Sequence, residues 1–250
     1  ICIEYNPKLV VVVGDVNSTL GCTLVCAKMN IRSAHIEAGL RSGDMKMPEE
    51  VNRIVTDALA NILFTPSVDA DNNLISEGRM DEDIYFVGNI MIDSLIKGLE
   101  RASKSKILDE IGIQKEEYGV ITLHRPSNVD DFETLEQILC AMEEIAKENC
   151  LVFPVHPRTN NNLQKMGLKS RLEENPNIIL TGPLGYLDFL SLIHNSRIVF
   201  TDSGGLQEET TFLGIPCLTL RESTERPITV LEGTNTIVGS SKVDIMLAFK

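Results

Sequence analysis

RIVFTDSGGLQEETTFLGIPCLTLRESTERP, residues 197–227, is the stretch whose reading decides the fold. An apolar, β-branched run (Ile198, Val199, Phe200) ends at Thr201-Asp202-Ser203-Gly204-Gly205, and a helical pattern begins at once in Leu206-Gln207-Glu208-Glu209. The order is strand, phosphate cradle, helix. Two glycines let the backbone approach a ligand, and the unpaired N–H groups of the first helical turn point at it, so the turn reads as an anion site suited to a diphosphate. A further strand over 216–220 then delivers Arg226, whose guanidinium fork matches a pair of phosphate oxygens. The plainer alternative is a Ser203 N-cap on an ordinary αβ turn.

Outward from this stretch, short apolar runs alternate with helical patterns along the chain, the signature of βα units and a parallel sheet. Strands are expected at 9–13, 33–36, 62–65, 84–87, 119–123, 151–155, 178–180, 198–200, 217–220 and 236–238. The clearest helix is expected over 129–149, with Phe132, Leu135, Ile138, Leu139, Met142 and Ile145 on one face. Ile92, Leu95, Ile96 and Leu99 fall at helical spacing within 91–108, and the charged stretch 114–118 follows. The class is α/β, with a first domain expected over 1–98, a linker over 99–117 and a second domain over 118–250.

With 250 residues and 43% hydrophobic content, the chain can bury two modest cores. No run approaches the ~18 consecutive apolar residues of a membrane span, so no membrane partner is expected and the cytosol is the expected compartment. A net charge of −13 argues against a nucleic-acid partner, because polyanion binding rests on clustered Lys and Arg. An anionic small ligand needs only a local basic pocket, for which Arg125, Arg158 and Arg226 stand just beyond expected strands. Cys2, Cys22, Cys26, Cys140, Cys150 and Cys217 form no CxxC pair and mostly lie in apolar runs, so they read as reduced, buried small hydrophobes. There is no HxxxH, cysteine cluster or acidic loop for a metal, no GxGxxG and no P-loop, so neither metal nor nucleotide cofactor is expected. Ser203 also lacks the GxSxG elbow of a nucleophile. The chain begins at Ile1 and stops at Lys250 inside a helical-looking segment, and two complete doubly wound domains usually need roughly 300 or more residues, so a fragment is expected.

In open parallel sheets, ligands bind beyond the carboxyl ends of the strands. Asp15, Glu37, His124 with Arg125, His156 with Arg158, and Ser203 each follow an expected strand, which points to a cleft. Taken singly, Asp15 could cap the helix carrying Leu20 and Leu24. Glu37, in His-Ile-Glu-Ala-Gly with no cation nearby in sequence, reads as a buried, perturbed carboxylate. Glu49 and Glu50 follow Pro48 and could be simple first-turn acids. His194 reads as a helix-end residue without a role.

Together, GDVNST (14–19), HIEAGLRS (35–42), MPEEVNR (47–53), FVGN (86–89), HRPSNVDD (124–131), VHPR (155–158), TDSGGLQEE (201–209) and ERP (225–227) resemble the non-hydrolysing UDP-N-acetylglucosamine 2-epimerases, in that family's order and over nearly the whole chain. The resemblance implies a glycosyltransferase B fold: two Rossmann-like domains with parallel sheets facing a cleft, UDP held mainly by the second, the first incomplete. It also implies that the family's first strands and final helices are lacking. It implies interconversion of UDP-N-acetylglucosamine and UDP-N-acetylmannosamine without a cofactor, by a homodimer. By matching position, Asp15, Glu37 and Glu49 look like the family's acid and base carboxylates, and His124 like its catalytic histidine near the diphosphate. Ser203, Gly204 and Gly205 would hold phosphate, Glu209 the ribose hydroxyls and Arg226 a phosphate oxygen. Leu184, through its backbone, and Phe189 would frame the uracil. Arg125 is counted with the substrate-binding residues, and His156 belongs to the region that in bacterial relatives helps to bind a second, allosteric UDP-N-acetylglucosamine. The segment 43–48 is shorter than in well-known bacterial members, and Pro126 stands where many members carry a second Arg. Two other functions fit part of the pattern. A retaining UDP-sugar glycosyltransferase would leave Asp15, Glu37 and Glu49 with no joint role, and the expected missing start makes a catalytically silent UDP-sugar binder the alternative of a different class.

Overall fold

The computed structural model describes residues 2–250, and Ile1 lies outside them. Strands β1 (Leu9–Val13), β2 (Arg32–Ile36), β3 (Ile62–Thr65) and β4 (Ile84–Phe86) form one sheet in the order β1-β2-β3-β4. Strands β5 (Tyr118–Thr122), β6 (Cys150–Pro154), β7 (Ile178–Thr181), β8 (Ile198–Thr201), β9 (Cys217–Thr219) and β10 (Asn235–Ile237) form a second, in the order β10-β9-β8-β5-β6-β7. Every pairing is parallel. Each expected strand is present, its ends within one residue of the expected ones.

The chain forms two compact units. The first runs to Ile90 and includes Glu225–Ile228, and the second comprises Met91–Thr224 and Thr229–Lys250. In the second, helices cover both faces of the sheet, and alternate side chains of β5 feed two cores. Ile121 joins Leu135, Leu139, Met142, Phe153 and Phe200 on one side, while Tyr118 and Val120 join Val152, Leu192, Ile193 and Val199 on the other. The first unit has a smaller core around Ala38, Ala60, Leu63 and Leu74. Its strand β1 keeps Leu9, Val11 and Val13 exposed.

The helix expected over 129–149 is interrupted at its start. A short helix, Pro126–Val129, ends before Asp130, and Asp131 begins the next by accepting the Thr134 amide at 2.8 Å, so regular helix covers Phe132–Ile145. Phe132, expected on the core face, is exposed because it stands at the first position beyond that cap. The 91–108 pattern divides likewise into Ile90–Ala102 and Ile107–Ile111. The cysteines also divide: Cys26 and Cys217 are buried, but Cys22 is exposed, and none of the six is in a disulfide. Among the described residues, no helix is long and apolar enough to cross a membrane.

Candidate active site

The strand order of the second unit dictates where its ligand site must be. From β5 the chain proceeds outward to β6 and β7, then returns to the other side of β5 as β8, so β5 and β8 flank a reversal point. Crevices open at such points, beyond the carboxyl ends of the two strands. Thr122 and Thr201 are register partners there, with their hydroxyls 2.6 Å apart. The residues that follow, His124 and Arg125 on one side and Asp202 and Ser203 on the other, are therefore neighbours.

A cavity of about 510 Å³ lies beside them, lined by Met91, Thr122, Leu123, His124, Pro154, His156, Pro183, Leu184, Tyr186, Phe189, Ser203, Gly205, Leu206 and Glu209. Thus His124, His156, Leu184, Phe189, Ser203, Gly205 and Glu209, singled out from sequence, share one pocket. Gly204 is the buried first residue of the helix Gly204–Leu213. Ser203 stands at the N-cap position of that helix, but its side chain makes no capping bond, so the plainer reading of the turn accounts for its position and not for its chemistry. The first-turn amides remain available to an anion. A Cβ added at Gly205 would meet nothing within 4 Å, so the protein's own packing does not require glycine there. Deeper in the pocket, burial and then the charge of Glu208 push the Glu209 carboxyl above its ordinary range. Such a carboxylate gains most from hydroxyl donors on a ligand.

Asp202, not among the singled-out residues, is the hub of this end of the sheet. It is fully buried and accepts the amides of His124 (3.0 Å) and Arg125 (2.9 Å), the Asn128 side chain (3.3 Å) and His124 Nδ1 (2.8 Å). Burial alone would raise its carboxyl. The His124 ring and the Arg125 and His124 amides outweigh that and hold it below the ordinary carboxylate range. Arg125 Nε donates to the Asp202 carbonyl at 3.1 Å. Arg158 is drawn to Asp130 rather than into the pocket. His156 caps the helix Pro157–Lys165, its Nδ1 accepting the Arg158 amide at 3.2 Å, and its ring centre is 5.9 Å from that of His124.

In the first unit, Asp15 and Glu37 follow the paired ends of β1 and β2, where Val13 and Ile36 are register partners. Asp15 does not cap the following helix, whose N-cap position belongs to Val16; its carboxylate instead meets Arg53 Nη1 at 2.5 Å. Glu37 meets a cation from far along the chain. Arg226 Nη2 donates to Glu37 Oε1 at 2.8 Å, while Nη1 donates to Glu225. Glu37 is also only half-buried, and its backbone is left-handed at φ 73°, uncommon for a residue with a Cβ, with its amide and that of Ala38 both donating to the Phe64 carbonyl.

The adjacent acids of the helix Pro48–Leu59 behave differently. Glu49 has no hydrogen-bond partner among the described residues, whereas Glu50 is buried against the Ser42 and Gly43 amides and Arg53. Burial alone would raise the Glu50 carboxyl, but the Ser42 amide, Arg53 and the Gly43 amide hold it below the ordinary range. Beneath them, buried His35 spans from the Gly14 carbonyl (2.9 Å) to Asp57 (2.6 Å), and Asp57 also receives Gly39 N and Arg41. Gly39, at φ 82°, is obligatory, since a Cβ would collide with the Ala70 backbone. Sequence reasoning missed Asp202, Arg53, Glu50 and Asp57 as parts of this framework. Asp202, Glu50 and Arg53 had a signal, through their places inside TDSGG and PEEVNR, whereas Asp57 lies outside every quoted motif.

The profile of the family described as UDP-N-acetylglucosamine 2-epimerase matches residues 1–250. A Methanococcus maripaludis protein named UDP-N-acetylglucosamine 2-epimerase homolog is 47% identical over 248 residues, covering 98% of this chain and 69% of that protein. UDP-2,3-diacetamido-2,3-dideoxy-D-glucuronate 2-epimerase of Pseudomonas aeruginosa is 40% identical, over 97% of this chain and 66% of its own length. The crystal structure of Methanocaldococcus jannaschii UDP-GlcNAc 2-epimerase in complex with UDP-GlcNAc and UDP is similar with a TM-score of 0.91 at 41% identity, covering 99% of this chain and 69% of that one.

Proposed function

This chain belongs to the UDP-N-acetylglucosamine 2-epimerase family, and from that premise we propose that it interconverts UDP-N-acetylglucosamine and UDP-N-acetylmannosamine by elimination and re-addition of UDP. The observation that carries the reading is the second unit's pocket, where an N-terminal helical turn without a side-chain cap, a buried carboxylate and a carboxylate-anchored imidazole line one cavity of about 510 Å³.

In this reading the amides after Ser203 receive the diphosphate, Glu209 accepts the ribose hydroxyls, and Leu184 and Phe189 frame the base. Arg226 binds a phosphate oxygen, and Arg125 and His156 belong to the substrate-binding set. No carbonyl stands beside C2, so its proton is not acidic enough to be removed alone. The C2–H pair forms a C1=C2 bond while the C1–O pair leaves with the diphosphate oxygen, giving a 2-acetamidoglucal and UDP. Re-addition of that oxygen at C1, with a proton delivered to the other face of C2, completes the inversion. Asp15, Glu37 and Glu49 are the carboxylates assigned to removing and returning that proton, and His124 acts near the diphosphate. The unbonded carboxylate of Glu49 and the strained backbone of Glu37 support their choice. We extend the reading to a homodimer and to the cytoplasm, both as expectations of the family.

Incubation with UDP-N-acetylglucosamine in deuterated water tests it. UDP-N-acetylmannosamine carrying deuterium at C2 is the expected product. Sugar transfer only to an added acceptor would identify a glycosyltransferase, and UDP binding without turnover a silent binder. The Pseudomonas relative acts on a different sugar at nearly the same identity, so a diacetamido-uronate substrate belongs in the same assay.

A further inference from the structure

Two imidazoles line the second unit's pocket, and the groups behind them differ in hydrogen-bond polarity. Behind His124 stands Asp202, an acceptor. Behind His156 stands the Arg158 amide, a donor. We propose that Asp202 is the positioning residue of the reaction, holding His124 with its proton on Nδ1 and turning Nε2 toward the ligand, while the Arg158 amide holds His156 in the opposite tautomer.

Asp202 is fully buried at the strand-order reversal, and every group that meets its carboxylate there donates a hydrogen. A protonated carboxyl would set its own hydrogen against one of those donors, so the site favours the ionised form, in keeping with its lowered carboxyl. An ionised carboxylate 2.8 Å from Nδ1 requires a hydrogen on Nδ1. The ring cannot rotate away cheaply, because the His124 and Arg125 amides are tied to the same carboxylate. The nitrogen left to the pocket is Nε2. At His156 the backbone hydrogen of Arg158 points at Nδ1, which must then be a lone pair, so the proton resides on Nε2.

The consequence for catalysis rests on the epimerase reading. When the C1–O bond breaks, its electron pair goes to the diphosphate oxygen. With Nδ1–H held by Asp202, the form of the ring that also carries a hydrogen on Nε2 hands that hydrogen to the oxygen as a proton, and the same proton returns to Nε2 when the oxygen re-bonds to C1. The ring thus ends each turnover in its starting state. Asp202 touches no reacting atom and acts only through His124.

The test begins with ¹⁵N chemical shifts of the histidine rings in the wild-type protein, assigned with His124→Ala and His156→Ala. His124 is expected to keep Nδ1 protonated at every pH at which the protein is folded, and neutral His156 to carry its proton on Nε2. An unprotonated Nδ1 in His124 overturns the proposal, whether or not the protein is an epimerase. Kinetics then test the route. Asp202→Asn is expected to lower kcat about 100-fold with KM changed by less than about threefold, the size of a disabled proton transfer. In a His124→Ala background the same substitution is expected to change kcat by less than about threefold, because groups acting as a unit are not additive. A second full-sized loss in that background would mean that Asp202 acts independently of the ring. Should Asp202→Asn fail to fold, the wild-type spectrum decides alone.

Discussion

Glu49 and Glu50 are adjacent acids in one helical turn, yet their surroundings assign them different tasks. Glu50 is locked by two backbone amides and Arg53, which makes it framework; the Glu49 carboxylate has no such partner among the described residues, which is why we propose it for the substrate. The same comparison applies to arginines. Arg158 is tied to Asp130 at the surface, whereas Arg226 forks between Glu37 and Glu225. A lysine at 226 would keep the charge but lose the fork. We expect Arg226→Lys to weaken UDP binding about tenfold or more, since a hydrogen bond to a charged group contributes roughly 1.5–3 kcal/mol. Calorimetric titration checks this, and unchanged affinity would remove Arg226 from the phosphate site. The candidate residues at strand ends were legible because each follows an apolar run directly. Their partners were not, since His124 and Asp202 are separated by 78 residues and Glu37 and Arg226 by 189.

At the scale of elements, the helix Gly204–Leu213 shows how function and local stability can oppose one another. Glycine inside a helix is unfavourable relative to alanine, and at Gly205 a methyl group would meet open space. Gly205→Ala is therefore expected to leave the melting temperature unchanged or raise it, by about 0.4–1 kcal/mol of stability. UDP binding should fall, because the methyl intrudes where a diphosphate approaches, an overlap worth about 1–3 kcal/mol. A melt and a titration on the same sample distinguish the two effects, and unweakened binding would detach this turn from the phosphate. Periodicity found the strands to within one residue. It overran the helix at 129–149 because Val129 and Phe132 continue an apolar spacing that the Asp131 cap overrides; a cap is a hydrogen bond to a particular amide and leaves little trace in hydropathy.

Across the whole molecule, two buried acids tie stability to pH. Glu50 in the first unit and Asp202 in the second have carboxyls held below their ordinary values of 4.5 and 3.8. The unfolded chain therefore binds their protons more readily than the folded one. Each contributes stability that is fully present above its unfolded value and is lost as pH falls through the folded one. We expect urea stability to be insensitive to these groups above about pH 5.5 and to decline below 4.5, with Glu50→Gln flattening its share of that decline. A decline of equal size in the variant would show that Glu50 is not a source of it. The amino-acid sequence by itself determined the α/β class, the parallel strands, the glycine turn before a helix and the family, because each is written in residues a few positions apart or in short ordered motifs. Tertiary structure alone decided that β8 returns beside β5, so that Asp202 anchors His124, and that Arg53 rather than a helix end holds Asp15. The physical reason is that strand order and register are selected by packing between segments distant along the chain, to which a local periodicity of side chains is blind.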